Sequence, residues 1–183
     1  MSMYGIAKGN EFEPIAKKIA QAEANGVMMY YALARLARLA REQGFDEAAD
    51  DFIEAAQQEA NHAGFYAVAA GKYPQDFWGI VRGLKKAESN ADKMLLPLAE
   101  QFRAKGYGEA ADEIERFTKE ELHHGELMDK ILKKYAPAEE SHEGQTVYVC
   151  PVCGYEHVGI MADEADDYIC PICGQPKSAF QKK

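Results

Sequence analysis

The chain has 183 residues, 47% of them hydrophobic, enough for one four-helix core and a small appendage and too apolar for a disordered chain. Its net charge of -9 argues against a nucleic-acid surface, which needs clustered Lys and Arg, so no nucleic-acid partner is expected. No signal-peptide pattern opens the sequence and no apolar run approaches the roughly 20 residues of a membrane span, so the expected setting is cytoplasmic with no membrane partner.

Residues 1–12 are polar with two glycines and are expected to be poorly ordered. A first helix can begin near Glu13 and Pro14, with the stripe Ile15, Ile19, Glu23, Gly26, Tyr30, Leu33 and Ala37, and Gly44 supplies its stop. A second, from about Asp46 to Ala70, carries Ala48, Phe52, Ala55, Glu59, His62, Tyr66 and Ala69 on one face and ends at Gly71. The stretch from Lys72 to Gly79, holding Pro74 and Trp78, reads as a crossover at the end of a bundle. The third stripe is Val81, Leu84, Glu88, Ala91, Leu95, Leu98 and Phe102, with a kink expected at Pro97. The fourth is Ala110, Ile114, Phe117, Glu121, His124, Met128, Ile131 and Tyr135. These helices form a first domain over residues 1–138. A Pro/Glu/Ser/Gly-rich linker, 139–144, leads to a second domain over 145–183 that contains all four cysteines and β-prone pieces at 146–149 and 167–169.

One motif occurs twice. Gly44-Phe45-Asp46-Glu47-Ala48-Ala49-Asp50, running on to Glu59-x-x-His62, recurs as Gly106-Tyr107-Gly108-Glu109-Ala110-Ala111-Asp112, running on to Glu121-x-x-His124. Residues i and i+3 share a helix face, so each Glu and His point the same way. More weakly, Ala22-Glu23-Ala24-Asn25 matches Ala87-Glu88-Ser89-Asn90 in the preceding helices. The chain therefore reads as two related helical hairpins. A single Glu-x-x-His is commonplace on a helix surface, but two in register, joined by two further glutamates inside apolar stripes, are not. Charged groups in a core stripe cost several kcal/mol unless compensated, and a metal pair compensates all six together. Four glutamates cancel two divalent ions, and oxygen with imidazole ligands suits iron or manganese. The metal ligands expected are thus Glu23, Glu59, His62, Glu88, Glu121 and His124. By the repeat His124, and not His123, is the equivalent of His62. Tyr30 lies on the face of Glu23 and is placed to hydrogen-bond a ligand.

Cys150-Pro-Val-Cys153-Gly and Cys170-Pro-Ile-Cys173-Gly give two Cys-x-x-Cys pairs, whose four thiolates fit one tetrahedral ion. The spacing alone suits zinc as well as iron. The duplicated Cys-Pro-x-Cys-Gly, with Tyr148, Tyr155, Tyr168 and Phe180 nearby, resembles rubredoxin, whose iron carries one electron.

The order of these parts resembles rubrerythrin from about residue 13 to 183: a ferritin-like four-helix bundle, then a rubredoxin-like domain. Pro176-Lys177 and Phe180 also match that family's C-terminal segment. The resemblance implies a mainly α fold and a non-haem peroxidase that reduces hydrogen peroxide to water in oxidative-stress defence. It implies a di-iron centre on the six residues above and one iron on Cys150, Cys153, Cys170 and Cys173. Electrons would come from NADH through a separate reductase, and the partner in assembly would be a second copy, whose di-iron site the rubredoxin centre serves. Tyr30 matches the family's first-helix tyrosine.

Two positions depart from the family pattern. Ala91 stands where a second third-helix glutamate is usual, and Leu96 where a tyrosine is usual; Asp92 lies one position round the helix from the missing carboxylate. The carboxylate-for-histidine exchange of the family is therefore not expected. Two alternatives follow: a ferroxidase or dioxygen-reducing iron-handling protein, and a non-enzymatic interaction module with zinc on the cysteines.

Overall fold

The computed structural model describes residues 3–39, 44–45, 47–72, 77–138 and 143–183. Packing divides the chain into two compact units, Met1–Pro74 and Gln75–Lys183. Among the described residues no helix is long and apolar enough to cross a membrane.

The first unit is a hairpin of α1 (Glu13–Leu39) and α2 (Ala48–Ala69). Asn10 starts α1 by accepting a hydrogen bond from the Phe12 N–H on its side-chain oxygen, and Pro14 occupies the first turn, where a missing N–H costs nothing. The two helices meet over small side chains: Ala16, Ala20, Ala34 and Ala37 of α1 and Ala49, Ala56 and Ala67 of α2 are buried. Gly71, at φ +65°, ends α2: its N–H reaches the Val68 carbonyl while the Lys72 N–H reaches the Ala67 carbonyl. This is the left-handed cap that glycine favours. The start expected at Asp46 lies outside the described residues.

Residues 3–12 are ordered against this hairpin, contrary to the reading of the sequence. The Gly5 and Ala7 N–H groups donate to the carbonyls of Val68 and Ala69 at the end of α2. Ala7 is buried with Ala16 and Ala70, and Tyr66 packs against them.

The second unit contains α3 (Phe77–Glu88), α4 (Asp92–Ala104) and α5 (Gly108–Tyr135), with α3 and α4 both packed on α5. The third stripe is therefore two helices, and the break lies at 89–91 rather than at Pro97, which sits inside α4. Tight bonds to the third residue back replace the helical ladder here: Asn90 to Ala87, Ala91 to Glu88, Lys93 to Asn90. The Asn90 side chain also donates to the Lys86 carbonyl, the kind of local competition that makes Asn and Ser poor helix-interior residues. Trp78 falls in the first turn of α3, edge-on to Phe77, and not in the crossover; residues 73–76 of that connection lie outside the described residues. Gly106, at φ +85°, repeats the Gly71 cap after α4, and Tyr107 behind it leads into α5.

The C-terminal module belongs to this unit. Its strands β1 (Val147–Val149), β2 (Glu156–Val158) and β3 (Gln181–Lys182) form an antiparallel sheet in the order β2-β1-β3. The expected strand at 167–169 contributes only an isolated bridge, Ile169 to Pro176. Residues 139–142 of the expected linker lie outside the described residues.

α5 approaches the 89–91 break at Gly125, where an added Cβ would stand 2.5 Å from the Ser89 Oγ and 3.1 Å from its backbone nitrogen. Gly125→Ala should therefore lower stability by about 1 kcal/mol, the overpacking penalty of ~1–3 kcal/mol exceeding the ~1 kcal/mol gained in helix propensity. Thermal and denaturant unfolding of the two proteins measures this.

Candidate metal centres

α1 and α2 bring Glu23, Glu59 and His62 together, and α3 and α5 bring together Glu88, Glu121 and His124; within each group the ligand-type atoms lie within 4.8 Å of one another. The two triads match in detail. His62 Nδ1 lies 3.4 Å from Glu59 Oε2 and 3.6 Å from Glu23 Oε2; His124 Nδ1 lies 3.3 Å from Glu121 Oε2 and 3.8 Å from Glu88 Oε2. The imidazoles are 56% and 51% exposed, while Glu23 and Glu88 are 24% and 25% exposed. Each triad thus has a carboxylate floor and an open histidine edge. His123 instead turns outward to Glu126, with its Nδ1 3.3 Å from the Glu126 Oε2, as the repeat requires.

Helix geometry explains the convergence. Glu and His at i and i+3 of α2 or α5 project from adjacent turns onto the same face. The neighbouring helix then supplies the remaining glutamate. Gly26, one turn after Glu23, admits the Glu59 side chain, whose Cδ would lie 3.4 Å from a Cβ there. Ala91 follows Glu88 at the same spacing as Gly26 follows Glu23, so both halves carry a small residue where the family pattern has a second glutamate in one. Because α3 ends at Glu88, residue 91 is not one turn further along the same helix, and Asp92 joins neither triad.

The electrostatics of both triads call for positive charge. A hydrogen bond with Glu59 and burial raise the Glu23 carboxyl above its usual range, while the same bond lowers Glu59. Burial, then the hydrogen bond to Glu121, pushes Glu88 up to about 7. Two carboxylates in hydrogen-bond reach share a proton when nothing else neutralises them; a divalent cation replaces that proton and leaves both ionised. The donor set fits iron or manganese, with each triad offering two carboxylates and one imidazole. Tyr30 stacks on Phe52, with centroids 6.5 Å apart, on the face of α1 that carries Glu23.

The four cysteines come together as free thiols. Cys150 Sγ is 3.5 Å from Cys173 Sγ, and Cys153 Sγ is 3.5 Å from Cys170 Sγ. That is near the ~3.8 Å edge of a tetrahedron with metal–sulfur bonds of about 2.3 Å. Both hairpins are built alike. The Cys150 N–H donates to the Tyr155 carbonyl and the Gly154 N–H to the Cys150 carbonyl; the Cys170 N–H donates to Gln175 and the Gly174 N–H to Cys170. Gly154 and Gly174 both sit at φ +74°. Burial alone would raise the Cys150 thiol, but backbone N–H groups of Cys153 and Val152 hydrogen-bonded to its sulfur bring it below the usual range. Burial drives Cys153 and Cys170 up, so a cation must supply the stabilisation that makes all four thiolates.

The module rests on α3. Tyr155 and Ile172 lie against Gly83, where a Cβ would meet them at 3.1 and 3.2 Å, and Lys86 Nζ donates to the Gly154 carbonyl at 3.2 Å. Ala87 packs against the cluster of Cys150, Cys153, Cys170, Tyr155 and Phe180. The residue after Ala87 is Glu88. No sequence signal singled out Gly83 or Lys86, because docking of one domain on another leaves no periodicity.

Residues 148–181 match the family described as "Rubrerythrin, rubredoxin-like domain". An uncharacterized protein of Methanocaldococcus jannaschii is 28% identical over 131 residues, 72% of this chain and 91% of that one. Two solved structures of nigerythrin, in partially and fully reduced states, align over the whole chain and 94% of theirs at 23% and 22% identity, each with a TM-score of 0.32. Residues 148–181 are thus similar to the rubredoxin-like domain of rubrerythrin, and they follow helices that carry duplicated Glu/Glu-x-x-His triads. The four-cysteine centre is accordingly an iron-type metal site.

Two outcomes are expected. His124→Ala should lose metal from the helical sites while His123→Ala keeps it, as metal counts per chain will show. Cys170→Ser should remove the visible absorbance of the ferric tetrathiolate and, because metal binding is coupled to folding of so small a domain, lower the unfolding temperature of the second unit in calorimetry.

Proposed function

We propose that this chain is a di-iron peroxide reductase that converts hydrogen peroxide to water, H2O2 + 2 e− + 2 H+ → 2 H2O, in defence against oxidative stress. The observation that carries this reading is the presence, in one chain, of two geometrically matched carboxylate-histidine triads and a rubredoxin-like four-cysteine centre. Two iron ions held by Glu23, Glu59, His62, Glu88, Glu121 and His124 would supply the two electrons, and a third on the cysteines would restore them one at a time from a reductase fed by NADH.

The protein's own groups have three tasks. The four glutamates would balance the charge of two divalent ions, leaving a centre of no net charge for a neutral peroxide. His62 and His124, at the open edge of each triad, would complete the ligand sets of the two metals. Lys86, Gly83 and Ala87 hold the four-cysteine module on the helix that bears Glu88. Tyr30 is placed to orient a ligand carboxylate by hydrogen bonding. The working form is proposed to be a cytoplasmic homodimer.

One observation favours a second reading. With Ala91 at the position of a third-helix glutamate and the helix interrupted there, the ligand set is the plain ferritin-like complement of four Glu and two His, which suits a ferroxidase that uses dioxygen. Anaerobic loading with ferrous iron, followed by rapid mixing with peroxide or dioxygen, separates the two. Peroxide should reoxidise the protein at least about tenfold faster, a difference of ~1.4 kcal/mol in barrier. Faster reaction with dioxygen would replace this proposal with the ferroxidase. Glu121→Ala should abolish reoxidation at the helical centre and spare the spectrum of the cysteine centre.

A further inference from the structure

We infer that Lys86 is a positioning residue for the four-cysteine centre: its ammonium, acting through the Gly154–Tyr155 peptide, raises the reduction potential of an iron held there. The inference needs iron on the cysteines but not the peroxide reaction.

The contact is a short relay of hydrogen bonds inside the second unit. Lys86 Nζ donates to the Gly154 carbonyl at 3.2 Å. The N–H of that same peptide belongs to Tyr155 and donates to Cys153 Sγ. A peptide is a planar, polarised group, so a cation on its oxygen strengthens the donor at its other end. The Lys86 side chain lies directly over Gly154, where a Cβ would stand 2.6 Å from Nζ and 2.7 Å from Cδ. A larger residue at 154 would displace the lysine. Gly174 holds the same place in the twin hairpin, also at φ +74°, yet beyond its chain neighbours nothing lies within 4 Å of its Cβ position. The lysine therefore acts on the Cys150–Cys153 hairpin and not on its twin.

Charge gives this contact its effect. Ferric iron on four thiolates carries one negative charge and ferrous iron two, so each electron adds charge to a cluster in which Cys150, Cys153 and Cys170 are all buried. A nearby positive charge and an N–H bonded to sulfur both favour the reduced form. Lys86 supplies the first and strengthens the second. Among the described residues no carboxylate pairs with it, whereas its neighbour Lys85 is held by Asp129 of α5 at 2.5 Å. Adjacent lysines thus have different duties: Lys85 ties α3 to α5, and Lys86 directs its charge at the sulfur cluster. Lys86 is exposed, so solvent and salt moderate the effect without removing it.

A redox titration of the iron-loaded, full-length protein at a mediator-equilibrated electrode, without peroxide, tests this through the visible absorbance of the ferric form. Lys86→Met keeps the apolar stem and removes the charge and the donor. At the potential where the wild-type centre is half reduced, its ferrous-to-ferric ratio should fall about fivefold, ~40 mV by the conversion of about 59 mV per tenfold for one electron. Lys86→Arg, which keeps the charge, should stay within about twofold of wild type. Lys85→Met should do the same, because Asp129 keeps Lys133. The sign distinguishes lost charge from a loosened module, since water admitted to the cluster stabilises the doubly charged form and raises the ratio. An unchanged or higher ratio in Lys86→Met overturns the inference, as does an equal fall in Lys86→Arg or Lys85→Met. If Lys86→Met does not fold, Lys86→Gln, which keeps a neutral donor, is read by the same rule. Failure of the peroxide reaction leaves this potential unchanged, and failure of the potential shift leaves the peroxide reaction standing.

Discussion

The carboxylate pair in each helical half is the constraint on which the rest of the structure depends. Glu23 with Glu59, and Glu88 with Glu121, stand close enough to share a proton, an arrangement that is unfavourable for two anions unless a cation lies between them. Everything near them serves that placement. Alanines let α1 and α2 approach closely enough for glutamates on different helices to meet, and Gly26 leaves room for Glu59. The histidines complete the set from the next turn. A bound cation would take the place of that shared proton, which couples metal loading to the stability of the fold.

The second centre follows a different logic. The cysteine hairpins obtain rigidity from backbone hydrogen bonds and from two glycines at φ +74°, so their sulfurs hold tetrahedral spacing independently of the helices. The module is then fixed to α3 by a glycine, a lysine and an alanine within one turn and a half. Small residues at the contact, with Tyr155 and Phe180 edge-on behind it, bring the sulfur cluster near the helix backbone. Glu88 is the next residue after that contact, so the same turn of α3 supports both the docking surface and a carboxylate of the helical triad.

Much of this was legible in the residues. The duplicated Glu-x-x-His fixed the triads because helix periodicity converts spacing directly into direction, and the choice of His124 over His123 needed only the repeat. The cysteine hairpins were legible for a similar local reason, since Cys-x-x-Cys-Gly carries its own turn. Three features were not. The N-terminal segment pairs with carbonyls at the far end of α2, a contact that composition does not encode. The interruption at 89–91 comes from tight turn bonds and the Asn90 side chain, whereas Pro97, the more conspicuous breaker, is accommodated inside α4. Trp78 belongs to a helix start rather than to a loop.

The sequence by itself determined the local geometry: which faces are apolar, which groups share them, where glycine ends a helix, and that four thiols form one cluster. All of these depend on periods of three to five residues, which side-chain chemistry states outright. Only the tertiary structure decided which small residues form the helix contacts, that α3 stops at Glu88, that the cysteine module sits on that same helix, and that the large apolar side chains stay outside the hairpins. Those outcomes depend on contacts between segments far apart in the chain, where many pairings satisfy the same hydrophobic pattern and packing selects among them.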